Sequence, residues 1–366
     1  MSTGIGNDRT ETDTELATAS LPSATTPVRQ LPDWAPWGVL GATAVVVGGG
    51  TLLLGHGIGL AVALTAVLYA AAMYLASRTV EGPRKATDRL VTVLVTAAFL
   101  AAMAPLVSVV ITVLANGIAR FDVEFFTNSM RGVVGEGGGA YHALLGTLII
   151  AAIAAILSIP VGLLTAVYLV EYGKGKLARA ITFFVDVMTG IPSIVAGLFA
   201  FALFALFFGP GVRMGFMGSI ALCVLMVPVV VRSTEEMLKI VPNELREAAY
   251  ALGVPKWRTI TKVVLPTSIA GIASGITLAI ARVIGETAPL LIAVGITTGV
   301  NLNPFDGRMA TLPVFSYYSY VAPGVPREPF IDRAWTAALV LIVLVMVLNL
   351  VARLIARLFA PKTAGR

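Results

Sequence analysis

Long stretches without a charged side chain constrain the fold of this chain more than any other feature. Residues 34–77 contain no Asp, Glu, Lys or Arg, and residues 90–119 contain none either. A run of about 20 apolar residues is long enough to cross the hydrocarbon core of a bilayer as a helix. Because 57% of the 366 residues are hydrophobic and only 13% are charged, lipid is the solvent expected for most of the chain.

These stretches predict an all-α integral membrane protein with about eight transmembrane helices. Gly55-His56-Gly57 divides residues 34–77 into an extra N-terminal hairpin of two spans, with His56 at the turn. Six further spans are predicted at residues 90–119, 141–170, 180–208, 216–232, 266–296 and 334–358. Residues 1–33 lack an apolar run and are predicted to be a disordered tail, so the remaining core covers residues 78–366.

Basic residues predict the orientation of the spans. They cluster at residues 78–89, 174–179, 241–266 and 353–366, whereas the opposite side holds only Arg120, Arg131, Arg213, Arg308, Arg327 and Arg333. Cytoplasmic loops carry an excess of Lys and Arg, so both termini are expected on the cytoplasmic side. Residues 299–333 then form the largest outer loop. The net charge of +6 therefore reads as a topology signal rather than as a nucleic-acid surface.

Several functions are disfavoured by residues that the sequence lacks. Cys223 is the only cysteine, which excludes an intrachain disulfide, and the two histidines lie far apart, so no metal site is expected. The sequence has no GxxxxGK[ST] phosphate loop. We therefore expect neither a cofactor nor ATP hydrolysis in this chain.

The polar stretch at residues 241–266 lies between two apolar runs on the predicted cytoplasmic side. Pro242 suits a first helical position, and Gly253 with Pro255 stops a helix, so a helix is predicted over residues 242–252. A helix of that length is unstable alone in water and needs packing or a partner's groove. We expect Arg246 and Glu247 to pair across such a contact.

The same stretch resembles the EAA loop of ABC importer permeases. The resemblance rests on Glu247-Ala248-Ala249 followed by Gly253 and Leu265-Pro266, with Val263 where that family usually has Ile. It implies that the helix is a coupling helix that docks on an ATPase subunit. The alternative is an interfacial helix without a partner, for which Ala-Ala-Tyr-Ala-Leu offers only a weak apolar face.

Three charged residues within predicted spans are candidates for the substrate pathway, because a charge in the membrane is costly and normally functional. Arg232 and Arg282 are expected at comparable depths on helices of opposite direction. A guanidinium keeps its charge and offers a fork of donors to an oxyanion, which favours an anionic substrate.

Glu286 follows Arg282 by one helical turn on the predicted span. One interpretation is an internal ion pair between the two. The other is a selective role: a carboxylate accepts a hydrogen bond from the protonated oxygen of hydrogenphosphate and repels sulfate, which has no proton to donate. Asp186, earlier in the chain, is expected to cap a helix break or to line the path, with a local structural role favoured.

Segments 189–195, 232–236 and 281–290 resemble the PstA-type permeases of bacterial phosphate importers, and the similarity extends from about residue 90 to the C-terminus. The resemblance implies a type I ABC importer core of six helices in the bacterial inner membrane, in which Arg232 and Arg282 contribute to phosphate passage. It also implies a PstC-type second permease, two copies of a PstB-type ATPase carrying ATP and Mg, and a PstS-type phosphate-binding protein. Permeases for sulfate, molybdate or phosphonate, an ATP-independent secondary transporter and a membrane enzyme are the alternatives.

Overall fold

The computed structural model describes residues 30–53 and 57–359, and helices are the only regular elements in that part of the chain. Most of the predicted tail, and His56 at the predicted turn, lie outside the described residues. The chain divides into two compact units whose boundary falls between Ser108 and Val109, inside one long helix. The predicted division into a hairpin at 34–77 and a core at 78–366 stays a prediction.

The helices follow one another with short connections. In chain order they are α1 Ala35–Leu53, α2 Ile58–Val80, α3 Pro83–Gly117, α4 Val123–Thr127, α5 Tyr141–Val167, the π-helical turn π1 Tyr168–Tyr172, α6 Lys176–Thr189, α7 Ser193–Phe208, α8 Gly215–Ile240, α9 Asn243–Ala251, α10 Lys256–Thr259, the π-helical turn π2 Ile260–Val264, α11 Leu265–Ile284, α12 Ala288–Ala293, α13 Leu312–Val321 and α14 Glu328–Phe359.

The predicted all-α membrane fold is confirmed. Among the described residues, six continuous helices are long and apolar enough to cross a membrane: Ile58–Val80, Pro83–Gly117, Tyr141–Tyr172, Gly215–Ile240, Lys256–Ile284 and Glu328–Val351. The bent pair α6 and α7 supplies a seventh span if it is counted as one. Helix α1 adds a further 19 uncharged residues, so the structure is roughly consistent with the predicted number of about eight.

The first unit contains a carboxylate held by four donors at the turn between α2 and α3. Arg89 donates to Glu81 through Nε (2.7 Å) and Nη2 (2.8 Å). The Ser77 hydroxyl (2.7 Å) and the Leu31 backbone N–H (2.9 Å) donate to the same carboxylate. The bonds from Arg89, more than the other contacts, lower the pKa of Glu81 to about 2. The turn is therefore fixed by a carboxylate that stays ionised.

The second unit is built around α5, α8 and α11. Its main apolar cluster combines small and large side chains from these helices, including Ala154, Met226 and Val283. A second cluster, around Phe125 and Phe315, lies beside α13 and α14. Burying such side chains against one another fixes the helices at close range.

Contacts identify the two ends of this helical bundle. At one end, the Arg246 guanidinium of the polar stretch bonds the Glu171 carboxylate in π1. At the other end, the Leu312 N–H donates to the Thr147 hydroxyl (2.8 Å) and the Thr336 hydroxyl to the Gly117 carbonyl (2.9 Å). The basic segments at 174–179 and 241–266 therefore share one end of the bundle, as the distribution of Lys and Arg predicts.

Two predicted spans are wrong as continuous helices. Residues 180–208 are split into α6 and α7, which meet at 109°, because Pro192 supplies no N–H and disfavours a helical residue before it. Residues 266–296 are split after Ile284. There Pro289 has no N–H for the Gly285 carbonyl, and glycine is itself a poor helix former.

Candidate functional site

Arg232 lies at the centre of a chain of four charged side chains. Its Nη1 donates to the Glu235 carboxylate (2.8 Å), and its Nη2 donates to Asp186 of α6. The second oxygen of Glu235 accepts a hydrogen bond from Lys239 Nζ (2.6 Å). Two positive and two negative groups therefore balance one another. The sequence favoured a local structural role for Asp186, and its contact in the structure is with Arg232 on another helix, α8.

The members of this chain differ in exposure. The side chain of Asp186 is 60% exposed and that of Arg232 31%, whereas that of Glu235 is only 11% exposed. The contact between α6 and α8 therefore lies on an open face of the unit, and the contact within α8 lies deeper.

The depths of Arg232 and Arg282 follow from the packing of α11 against α8. A Cβ built on Gly275 would lie 2.5 Å from Ser233 Oγ, and one built on Gly271 would overlap Met237. The numbers rise on one helix and fall on the other, so the two helices are antiparallel. Arg282 lies seven residues beyond Gly275, which is about 10 Å along the axis at 1.5 Å per residue.

The prediction that the two arginines have comparable depths is therefore wrong. The helical segment that carries Arg282 begins at Lys256 rather than at Pro266, which moves Arg282 to its far end. Arg232 lies eight residues before the last residue of α8, Ile240, at the end of the bundle where the polar stretch lies. The two guanidiniums thus occupy successive levels rather than one.

Glu286 does not lie on a helical face with Arg282, contrary to the prediction. It follows the end of α11, where its N–H bonds the Val283 carbonyl (3.2 Å) before α12 begins. Within the described part of the chain, neither Arg282 nor Glu286 forms an ion pair. The internal pair considered from the sequence is thus not formed. Arg282 is exposed and Glu286 partly exposed.

The helix α9 in the polar stretch forms where it was predicted, one residue shorter at each end. Gly253 has φ +75°, and its N–H bonds the Tyr250 carbonyl (2.9 Å) while the Val254 N–H bonds the Ala249 carbonyl (3.1 Å). This pair of bonds terminates a helix when the residue after it is left-handed, which favours glycine. The predicted stop at Gly253 is confirmed.

Arg246 points into the protein rather than outward. Its Nε and Nη2 donate to the Glu171 carboxylate (3.0 and 2.9 Å). Its Nη1 donates to the Val241 carbonyl (2.6 Å), and Nη2 also to the Leu238 carbonyl (3.0 Å). Carbonyls at a helix C-terminus lack partners and favour a cation. Arg246 is thus engaged within the chain, and the pairing of Arg246 and Glu247 across a partner contact stays a prediction.

Lys256, further along the polar stretch, is attached to the same turn, π1. Lys256 Nζ donates to the Glu171 carbonyl and lies 4.8 Å from the centroid of the Tyr172 ring. Sequence reasoning missed Glu171 and Tyr172. The available signal was a carboxylate at the end of an apolar span, beside the basic residues of 174–179.

The outward face of α9 is free to meet another surface. Glu247 and Ala248 are exposed, whereas Ala249 is buried against the bundle. Leu252 and Trp257 add large exposed apolar groups within the same polar stretch. A charged residue, a small residue and two apolar anchors exposed in one short stretch suit a protein partner.

The fold and this arrangement define a membrane component of a transport system. Residues 158–365 match the family described as "Binding-protein-dependent transport system inner membrane component". The chain belongs to this family.

Within that class, the chain is similar to proteins named for phosphate transport. "Phosphate transport system permease protein PstA" of Mycobacterium leprae (strain TN) is 49% identical over 273 residues, which are 73% of this chain and 88% of the relative. "Phosphate transport system permease protein PstA 1" of Mycobacterium tuberculosis (strain CDC 1551 / Oshkosh) is 51% identical over 250 residues, which are 68% and 81% of the two chains.

A solved structure shows the same fold. It is described as the crystal structure of a bacterial alginate ABC transporter in complex with an alginate pentasaccharide-bound periplasmic protein. The match has a TM-score of 0.53 and 14% identity, and it covers 75% of this chain and 96% of that one. At this identity the likeness concerns the fold alone.

Proposed function

We propose that this chain is a permease subunit of an ATP-driven importer of inorganic phosphate and forms half of the translocation path. The observation that carries the proposal is the placement of Arg232 and Arg282 on adjacent, antiparallel helices at two successive levels. Both guanidiniums keep their charge and offer paired donors to a tetrahedral oxyanion. Phosphate is the substrate named for the relatives.

The levels of the two arginines give the passage a direction. Arg282 lies at the end of the bundle away from α9, where the incoming anion arrives, and Arg232 lies nearer to α9. An anion leaving Arg282 is attracted next by Arg232. Glu286, beside Arg282 in the chain, favours an anion that still carries a proton.

Coupling to ATP hydrolysis runs through α9. The exposed side chains of Glu247 and Ala248 on α9 and of Trp257 on α10 dock on a PstB-type ATPase that carries ATP and Mg. Arg246 and Lys256 attach the same segment to the end of α5. A displacement of α9 therefore moves the bundle rather than a loose loop.

The remaining assembly completes the path. A PstC-type permease forms the other half of the path, and a PstS-type protein delivers phosphate at the end away from α9. The complex lies in the bacterial inner membrane with both termini of this chain in the cytoplasm, as the distribution of Lys and Arg supports.

Transport by the whole complex tests the proposal. The complex that co-purifies with this chain is placed in proteoliposomes, and uptake of radiolabelled phosphate is measured with and without ATP. Uptake that requires ATP and that R282A abolishes is expected. Preferred uptake of sulfate, molybdate or phosphonate, or phosphate uptake by this chain alone without ATP, would show that the proposal is wrong.

A further inference from the structure

We propose that Asp186 is a gating carboxylate that binds Arg232 and dissociates from it when α6 moves, which frees Arg232 to bind an anion. The inference rests on the proposed function, because it concerns the control of the same arginine. It assigns Asp186 a role in regulating passage, in addition to its place beside the path.

The charge balance supplies the switch. With Asp186 in place, the formal charges of Asp186, Arg232, Glu235 and Lys239 sum to zero. Without Asp186 the remaining three sum to +1. We call the arrangement with Asp186 on Arg232 closed and the one without it open. An anion therefore gains little binding energy at Arg232 in the closed arrangement and is attracted to it in the open one.

Of the two carboxylates on Arg232, that of Asp186 is the one able to leave. It belongs to another helix and is largely exposed, and exposed ion pairs contribute little to stability. Glu235 is three residues along the same helix as Arg232 and is well shielded, so it stays with the arginine. The guanidinium therefore remains oriented by Glu235 while its Nη2 becomes free.

Helix α6 is attached in a way that allows movement. Val185 is its one fully buried residue, so little apolar burial holds it in place. It begins after Gly175, which has φ +82°, and it ends at the 109° bend before Ser193. Both connections contain residues that permit a change in backbone direction.

The occupant that replaces Asp186 is an oxyanion. A carboxylate and a phosphate present similar oxygen acceptors to a guanidinium, so either can accept the Nη2 hydrogen bond. Asp186 thus acts as an internal competitor of the transported anion. In the closed arrangement it keeps phosphate from passing Arg232 in either direction.

The test uses the whole complex in proteoliposomes preloaded with radiolabelled phosphate, with efflux measured without ATP. D186N and D186S are both expected to raise this efflux by roughly twofold to fivefold, the equivalent of one exposed ion pair. D186E, which keeps the charge, is the matched control and should match the wild type. If the wild type imports phosphate and the efflux of either assembled variant equals that of the wild type, the gate does not exist.

A charge swap separates gating from a purely structural contact. D186R/R232D restores the ion pair, so we expect normal assembly and efflux as low as that of the wild type. Import should nevertheless be lost, because the arginine is no longer on α8. Recovered import would show that the pair is only structural and would overturn the proposal. A wild-type complex that carries no phosphate would instead refute the proposed function.

Discussion

Arg246 of α9 and Glu171 of π1, the turn that continues α5, are 75 positions apart in sequence and form a shielded ion pair at 2.9 Å. Their side chains are only 12% and 4% exposed. The Arg246 guanidinium also bonds two carbonyls at the end of α8. One side chain therefore joins three helices at the point where an ATPase is proposed to push.

Removing Glu171 should cost more stability than its single contact suggests. In E171Q the shielded Arg246 charge loses its carboxylate counter-charge, and removing one partner of a buried ion pair costs about 3–5 kcal/mol of unfolding free energy. A lower midpoint of thermal unfolding in detergent is the expected result. The control is E244Q, which replaces an exposed carboxylate of α9 and should unfold like the wild type. Equal midpoints for E171Q and the wild type would contradict the role of the pair.

Charge reversal at Glu247 should affect the partner and not the chain itself. Glu247 is exposed and forms no ion pair among the described residues. We expect E247K to insert and unfold normally but to lose the ATPase on co-purification. Asn243→Ala, on the side of α9 that faces Arg246, provides a control for the helix. Retention of the ATPase by E247K would argue against docking through this face.

Substitution of Glu286 should change selectivity. A carboxylate repels a fully deprotonated oxyanion, and glutamine does not. E286Q vesicles are therefore expected to let sulfate compete with phosphate uptake, whereas wild-type vesicles resist it. E328Q, far along the chain at the start of α14, controls for the loss of one negative charge. An unchanged ratio of phosphate to sulfate inhibition would remove the selective role.

Gly146 of α5 permits close approach of another backbone. A Cβ at this position would overlap the Ala310 carbonyl oxygen, which cannot rotate away as a side chain does. G146A should lower the free energy of unfolding by about 1–3 kcal/mol. Gly48 in α1 has open space around it, so G48A should be neutral or gain up to about 1 kcal/mol. Thermal unfolding of both variants makes the comparison.

The Glu81 carboxylate should give the fold an acid-sensitive step. Its pKa falls from 4.5 to about 2 in the folded chain, so its contribution is fully present above pH 4.5. It is lost as the pH falls from 4.5 towards 2. E81Q should be less stable at neutral pH and should lose less stability over that interval. Parallel pH profiles for the two proteins would contradict this assignment.

The membrane spans were predictable from the sequence because charge is absent from long stretches, but the helix breaks were not. Pro105, Pro160 and Pro228 all lie within continuous helices, whereas the helix breaks occur beside Pro192 and Pro289. Proline lowers the cost of a break, and the surrounding packing decides whether one forms.

The site was predictable only in part for a similar reason. The sequence identified Arg232, Arg282 and the stop at Gly253 through local rules on charge and turn conformation. The direction of Arg246 depends on Glu171, which is distant in sequence. The levels of the two arginines depend on how Gly271 and Gly275 meet α8. The hydrophobic periodicity of one helix does not specify which residues of another helix it contacts.

In the proposed function, the offset of about 10 Å between Arg232 and Arg282, at 1.5 Å per residue, divides the path into two stations. One tetrahedral anion is too small to hydrogen-bond to both guanidiniums at once, so it gives up its bonds to one before it makes those to the other. Each station holds the anion weakly enough to let it go, and the next lies within reach of its field. Multi-site conduction depends on this division, because one strong site would trap the ion.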